Sequence, residues 1–233
     1  MRKTSYAATF AAVLIILVIN ILSSRLPDWL IAKYEIPNAQ VTVRYGLMKR
    51  CERSTISFPG PGKDGHLEYT EYECRQFPLR VKDKCDDENR LFCALWTSAQ
   101  YFSELAIGFA GMGLIALLIG VSTHSRRRRV WRAVAGLVIL HAVFQLVTFI
   151  LVTELYRKDR FPAFEHAKPG VGYVLNAVSW VSGLIVGAGV IVTGVAADRG
   201  HKWAAGNRSY TPIEGYRQRY RSYTPVQSYG SNA

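Results

Sequence analysis

Four long apolar stretches are the main feature of the hydrophobic pattern. They cover residues 6–22, 101–122, 133–153 and 171–197, so each is 17 to 27 residues long. About 20 residues of helix cross the hydrocarbon core of a bilayer. With histidine taken as neutral, the only charged side chain in the four stretches is Glu104. The pattern predicts an all-α membrane protein with a bundle of four transmembrane helices, and it excludes a soluble globular enzyme.

The charge of the intervening segments predicts which of them face the cytoplasm. Lysine and arginine exceed acidic residues mainly in 1–5, 123–132 and 198–233, which together carry most of the net charge of +12. Such an excess marks cytoplasmic segments. Segments 23–100 and 154–170 each have a net charge of +1 and are expected outside. Because membrane topology accounts for the basic charge, we expect no nucleic-acid partner.

The first stretch is expected to be a retained helix rather than a cleaved signal peptide. Its apolar run of 17 residues is longer than that of a usual signal peptide, and residues 21–25 lack a small-x-small cleavage site. We therefore expect a multi-pass protein of the plasma membrane with both termini in the cytoplasm.

Segment 23–100, between the first two predicted helices, has the pattern of a small β-structure. Residues 40–45 alternate apolar and polar side chains, and 53–58 and 66–74 are further strand candidates. Segment 59–65 is rich in proline and glycine, so it is expected to turn the chain between the last two strands. The sequence thus predicts a β-rich extracellular loop.

All four cysteines lie in this loop, at Cys51, Cys74, Cys85 and Cys93. An even number confined to an extracellular segment is typical of disulfides. A turn about Gly62 brings the first two cysteines together, which favours the pairs Cys51–Cys74 and Cys85–Cys93. Zinc is the weaker alternative, because the loop has no CxxC pair and a single histidine. We expect no metal and no cofactor.

A short motif in the loop resembles that of a known family. Trp29 follows the first helix, Gly46-Leu47 precedes Cys51, and Cys74 is the next cysteine. This arrangement, followed by three more helices, resembles the claudin superfamily of four-helix membrane proteins, whose loop carries W…GLWxxC…C. The superfamily includes peripheral-myelin-type proteins, channel auxiliary subunits and fungal claudin-like proteins. The resemblance implies that Trp29 packs the loop onto the helices; a tryptophan at the membrane boundary is the alternative.

The departures from the motif favour a divergent member of this superfamily, such as a fungal claudin-like protein, over a tight-junction claudin. Met48 replaces the second tryptophan, and Cys85 and Cys93 are additional. We therefore expect a non-enzymatic role in lateral organisation, adhesion, or stress and cell-wall sensing. An auxiliary subunit of a channel or transporter is the alternative. Expected partners are membrane lipids, other membrane proteins or a second copy of the chain.

Several polar residues within or beside the predicted spans are candidates for a site. The topology places Asn20, Glu104, Glu154 and Asn176 at one level near the outer ends of the four helices. They form either an outer polar cluster, with a hydrogen-bond network or a cation site, or separate side chains that reach the headgroup water. His141 and Gln145 are expected to be packing partners deeper in the third helix. Trp96, just before the second span, is expected at the membrane boundary. No nucleophile–base pair is recognisable.

The tail 198–233 is polar and contains a duplicated element. Tyr210-Thr211-Pro212-Ile213 recurs as Tyr223-Thr224-Pro225-Val226. Both copies resemble YxxΦ sorting signals, and the threonines resemble proline-directed phosphorylation sites. A clathrin adaptor or a kinase is therefore expected at the tail; a basic tail that lies on anionic lipid is the alternative. The composition predicts disorder.

Overall fold

The structure, a computed structural model, describes residues 3–37, 39–59, 66–121, 124–158, 161–164 and 167–205. Most of these residues are helical. The helices are α1 (Lys3–Arg25), α2 (Arg90–Val121), α3 (His124–Arg157), α4 (Val171–Asp198) and the short α5 (Lys202–Ala205). The strands are β1 (Leu30–Ile36), β2 (Ala39–Tyr45), β3 (Lys49–Pro59), β4 (His66–Gln76) and β5 (Ala167–Pro169), and Pro162–Phe164 forms a short 3-10 helix.

Helices α1 to α4 are each long and apolar enough to cross a membrane. Large apolar side chains such as Ile15 and Ile185 lie on their outer surface, 59% and 67% exposed. A soluble monomer rarely exposes so much contiguous apolar surface, whereas lipid accepts it. The four predicted spans are therefore confirmed as helices, and their length and composition suit a multi-pass membrane protein.

Two of the helices extend well beyond the predicted spans. Helix α2 begins at Arg90, eleven residues before the apolar stretch, because Phe92, Trp96 and Ala99 form a buried face at helical spacing. Helix α3 begins at His124, so residues 124–132, which were expected to form a turn, are helical.

The four long helices form a closed bundle in chain order. Helix α1 contacts α2 and α4, and α3 contacts both of these as well. Small residues allow the close approach of α4 to α3: a Cβ added at Gly183 would lie 3.0 Å from Ala142 Cβ, and one at Gly187 would lie 2.9 Å from Ile139 Cγ1. The small-residue stripe of α4 is therefore covered by the chain's own α3.

A five-stranded antiparallel sheet with the order β4-β3-β2-β1-β5 lies at one end of the bundle. Strands β2, β3 and β4 confirm the three strands predicted from the pattern. Strands β1 and β5 were not predicted. Strand β5 has three residues and belongs to the segment between α3 and α4, where it pairs with β1 from Leu30↔Pro169 to Ala32↔Ala167. Both connections at this end of the bundle therefore contribute to one sheet.

The structure has the two disulfides favoured by the sequence. Cys51 and Cys74 are direct partners across β3 and β4, with a Cα–Cα distance of 4.1 Å. Cys85 and Cys93 join the turn segment after β4 to the first turn of α2. One bridge thus ties the edge strand β4 to β3, and the other ties the loop to the bundle.

Candidate functional site

Trp29 joins the sheet to the helices. Its side chain is fully buried. The indole Nε1 donates a hydrogen bond of 2.7 Å to the Ser23 carbonyl at the end of α1, and the ring meets Tyr173 of α4 edge-on, with centroids 6.4 Å apart. The backbone N of Trp29 donates to the Tyr45 carbonyl. Trp29 therefore packs the sheet onto the bundle and is not a membrane-boundary residue.

The Gly46-Leu47 element lies at the same junction. A Cβ on Gly46 would lie 2.6 Å from Pro27 Cα, so the chain requires glycine here. Leu47 is fully buried, and its carbonyl accepts hydrogen bonds from Trp96 Nε1, at 3.1 Å, and from Gln100 Nε2. The motif segment is thereby attached to α2 through two side chains.

An aromatic core fills the space between the sheet and α2. Trp96 was expected to face the membrane boundary, but its side chain is fully buried, because α2 continues above the apolar stretch and turns this face toward the sheet. Phe92 stacks on Phe161 with centroids 4.4 Å apart. The other rings of this core are Tyr45, Phe77 and Phe164.

Phe161 and Phe164 are contributions that the sequence analysis missed. They come from the short segment between α3 and α4, which was considered only as a connecting loop. The sequence signal for their burial is their spacing: they are two aromatic residues three positions apart in a mostly polar segment. Like β5, they show that this segment completes the junction.

A buried hydrogen-bond network crosses the bundle and centres on Gln145 of α3. Gln145 Nε2 donates to Asn20 Oδ1 of α1, and Asn176 Nδ2 of α4 donates to Gln145 Oε1. All three side chains are fully buried. Because these amides are buried away from solvent, they depend on one another for hydrogen bonds.

His141, one turn before Gln145, lies beside this network and joins α3 to α2. Its Nδ1 lies 3.0 Å from the Ala106 carbonyl, which only accepts, so Nδ1 carries the proton. Nε2 is then the acceptor for the Ser179 hydroxyl of α4, at 3.4 Å. The network and His141 together contact all four long helices.

The structure brings together only two of the four residues considered for an outer polar cluster. Asn20 and Asn176 meet through Gln145, but Glu104 and Glu154 are exposed and take no part. Glu154 instead pairs with Lys158, one turn further along α3. The prediction placed the residues by depth alone, whereas the direction of each side chain around its helix axis decides which ones meet.

Replacing Gln145 with alanine is expected to lower the free energy of unfolding by about 1–3 kcal/mol, because Asn20 and Asn176 each lose a buried partner. Thermal unfolding in detergent measures the change. The control is Val143→Ala, which truncates a side chain on the outer surface of the same helix. Equal stability of the two variants would contradict a structural role for the network.

An ion pair holds the segment after β4 against the sheet. Arg75 donates two hydrogen bonds to the carboxylate of Asp83, at 2.8 and 2.5 Å, and the backbone N of Leu79 donates another at 2.6 Å. Burial alone raises the pKa of Asp83, but these bonds outweigh it and hold the pKa below its ordinary value. The stabilisation is therefore present above the unfolded-state pKa and is lost as the pH falls through the folded-state pKa.

The structure adds no support for a metal site or for a function of the tail. Among the described residues, no group of three His, Cys, Asp or Glu side chains is placed to hold a metal ion. Tyr210, Thr211, Tyr223 and Thr224 lie outside the described residues. The adaptor and kinase therefore stay predictions.

Comparison of the sequence with models of known protein families and with curated proteins finds no match. The function is therefore inferred from the geometry of the sheet and the bundle.

Proposed function

We propose that this chain is a non-enzymatic, claudin-like protein of the plasma membrane that acts in lateral organisation, adhesion, or stress and cell-wall sensing. Its four helices anchor a sheet at one end of the bundle, and the sheet presents the contact surface. The motif around Trp29, Gly46 and Cys51 supports the family assignment.

The proposed orientation places the sheet outside the cell and both termini in the cytoplasm. Two observations support it. Both disulfides belong to the sheet end, and disulfides persist in oxidising compartments. The run Arg126–Arg129 lies in the first turns of α3, at the opposite end, and an excess of arginine marks cytoplasmic segments.

The observation that carries the proposal is the edge strand β4. It is 11 residues long and, among the described residues, pairs on one side only, with β3, so its other side offers backbone donors and acceptors to a partner. Tyr69 and Tyr72 are 59% and 60% exposed on its two faces. The Cys51–Cys74 bridge ties the strand to the sheet. An exposed, braced edge with aromatic side chains suits a protein–protein contact.

Surface crosslinking tests the proposed contact. All four native cysteines are in disulfides, so a Tyr69→Cys variant has one reactive thiol. In intact cells, a membrane-impermeant bifunctional thiol reagent should join Tyr69→Cys to a second copy, itself a Tyr69→Cys chain, and mass spectrometry identifies the adduct. Gln40→Cys, exposed on β2 and paired with β1 on one side and β3 on the other, is the matched control and should crosslink less. Equal yields would contradict a contact at β4.

Thiol labelling of introduced cysteines tests the proposed orientation of the protein in the membrane. A membrane-impermeant maleimide should label Tyr69→Cys in intact cells and should label Arg132→Cys only after permeabilisation. The Arg132 side chain is 75% exposed at the opposite end of the bundle, so accessibility within the protein does not limit its labelling. Labelling of Arg132→Cys in intact cells would overturn the orientation.

An auxiliary subunit of a channel or transporter is the second candidate, and Glu104 favours it. This carboxylate is exposed on α2 beside Tyr101 and Leu105, and it has no ion pair with any described residue. A carboxylate on a lipid-facing surface is costly unless a partner or headgroup water receives it. Loss of a copurifying membrane protein on Glu104→Gln, with the β4 crosslink unchanged, would favour this second function.

A further inference from the structure

An open groove lies beside the Cys85–Cys93 disulfide, between the segment after β4 and the first turns of α2. Its volume is about 400 Å³. Arg80 and Arg90 line it together with the disulfide, and Thr97, Ser98 and Tyr101 continue the lining along α2. The groove is therefore basic where it adjoins the loop and becomes less polar along the helix.

The length of α2 places the Thr97–Tyr101 end of this groove in the headgroup layer of a bilayer and its arginine end just above that layer. The helix has 32 residues, or about 48 Å at 1.5 Å per residue. The hydrocarbon core takes about 20 of these residues. The apolar stretch 101–121 supplies that length, so residues 90–100 extend beyond the hydrocarbon on the side of the sheet.

Hydrogen-bond donors in the groove are available to an anion. Arg90 has no ion pair with any described residue. Arg80 bonds Asp86 through Nε, at 2.8 Å, which leaves its two terminal nitrogens without a partner in the described part of the chain. The hydroxyl of Thr97 likewise has no hydrogen bond to a described residue. Guanidinium groups match the geometry of a phosphate, which accepts hydrogen bonds only.

The surface beyond the groove suits an acyl chain. Tyr101 is 64% exposed at the end of the groove, and Leu105, 49% exposed, follows one turn later on α2. A basic end beside the headgroup layer, from which long arginine side chains reach toward the phosphates, and an apolar path into the hydrocarbon match the two parts of a phospholipid. A free phosphate ion matches only the first.

We infer that this groove binds a membrane phospholipid, with its phosphate at Arg80 and Arg90 and an acyl chain along Tyr101 and Leu105. The bound lipid lies in the leaflet next to the sheet. It also contacts the Cys85–Cys93 bridge, so the site joins the loop to the bilayer directly. This inference needs only that the four helices cross the membrane, and it stands apart from the protein contact proposed at β4.

Photo-crosslinking of the full-length protein in phosphatidylcholine nanodiscs tests the inference. The probe is a phosphatidylcholine with a diazirine near the glycerol end of one acyl chain. After irradiation, peptide mapping should place the main adduct within 90–105. In the double variant Arg80→Gln, Arg90→Gln the adduct should fall roughly tenfold, because two charge-assisted donors are lost.

Matched controls separate a specific site from general attraction. The double variant Lys33→Gln, Arg53→Gln removes the same charge from exposed positions elsewhere on the sheet and should keep the adduct. Peptide mapping under non-reducing conditions checks that every variant retains both disulfides. Excess inorganic phosphate should not displace the lipid.

Three results would overturn the inference. One is an adduct that survives in the Arg80→Gln, Arg90→Gln variant or that falls equally in the control variant. Another is an even distribution of adducts over the ends of all four helices, which indicates bulk lipid. The third is displacement by inorganic phosphate, which indicates a site for the free ion.

Discussion

Replacing Trp29 with alanine is expected to lower the free energy of unfolding by about 3–5 kcal/mol, the range for deleting a large buried aromatic side chain. The substitution removes a fully buried ring, its hydrogen bond to the Ser23 carbonyl and its edge contact with Tyr173. The hydrogen bond joins the sheet to the end of α1, and the edge contact joins it to the start of α4. The sheet should therefore lose its fixed position on the bundle.

Thermal unfolding in detergent measures the effect of Trp29→Ala, and two further variants identify its cause. Trp29→Phe keeps most of the ring and loses the hydrogen bond, so its cost should be smaller. Trp203→Ala removes a tryptophan that is 54% exposed at the opposite end of the helix bundle, so the free energy of unfolding should change little. If Trp203→Ala destabilised the protein as much as Trp29→Ala, the junction would have no special role.

Removing the Cys51–Cys74 bridge between β3 and β4 should also cause a large loss of stability. Disulfides of small extracytoplasmic units typically contribute about 2–5 kcal/mol. Cys51–Cys74 closes 23 residues and Cys85–Cys93 closes 8. In the chain-entropy account these separations correspond to about 3.4 and about 2.5 kcal/mol, so the first bridge should contribute more.

Double variants measure this difference without leaving a free thiol. Cys51→Ser with Cys74→Ser should unfold at a lower temperature than Cys85→Ser with Cys93→Ser, and both should be less stable than the native protein. The amount of protein at the cell surface should follow the same order. A native-like melting temperature for the Cys51→Ser, Cys74→Ser variant would show that the pairing of β3 with β4 is stable without the bridge.

The spans and the central strands were predictable because their signals are local. A run of apolar residues predicts a membrane helix wherever it occurs, and alternation predicts a half-buried strand. The proline- and glycine-rich segment 59–65 indicated a turn, and with it the pairing of Cys51 with Cys74. None of these inferences needs a contact from another part of the chain.

The candidate site was only partly predictable because depth in the membrane does not determine direction. Asn20, Glu104, Glu154 and Asn176 were placed at one level, yet only the two asparagines face the bundle interior. Gln145, expected to be a packing residue deeper in the same helix, is the residue that joins them. Successive residues are rotated by 100° about the helix axis, so residues at a similar depth can face either the bundle interior or the outside. Packing of the helices decides which side chains face inward.

The sequence by itself determined four apolar helices, a strand-forming loop with two disulfides and an uneven distribution of basic charge, because hydrophobicity, alternation and cysteine number act over short distances. Only the tertiary structure decided that β5, Phe161 and Phe164 join the sheet from a segment more than a hundred residues away. It also decided that Trp96 faces the sheet and that Glu104 faces outward. Long-range pairing depends on which surfaces meet after the helices pack, and no local pattern carries that information.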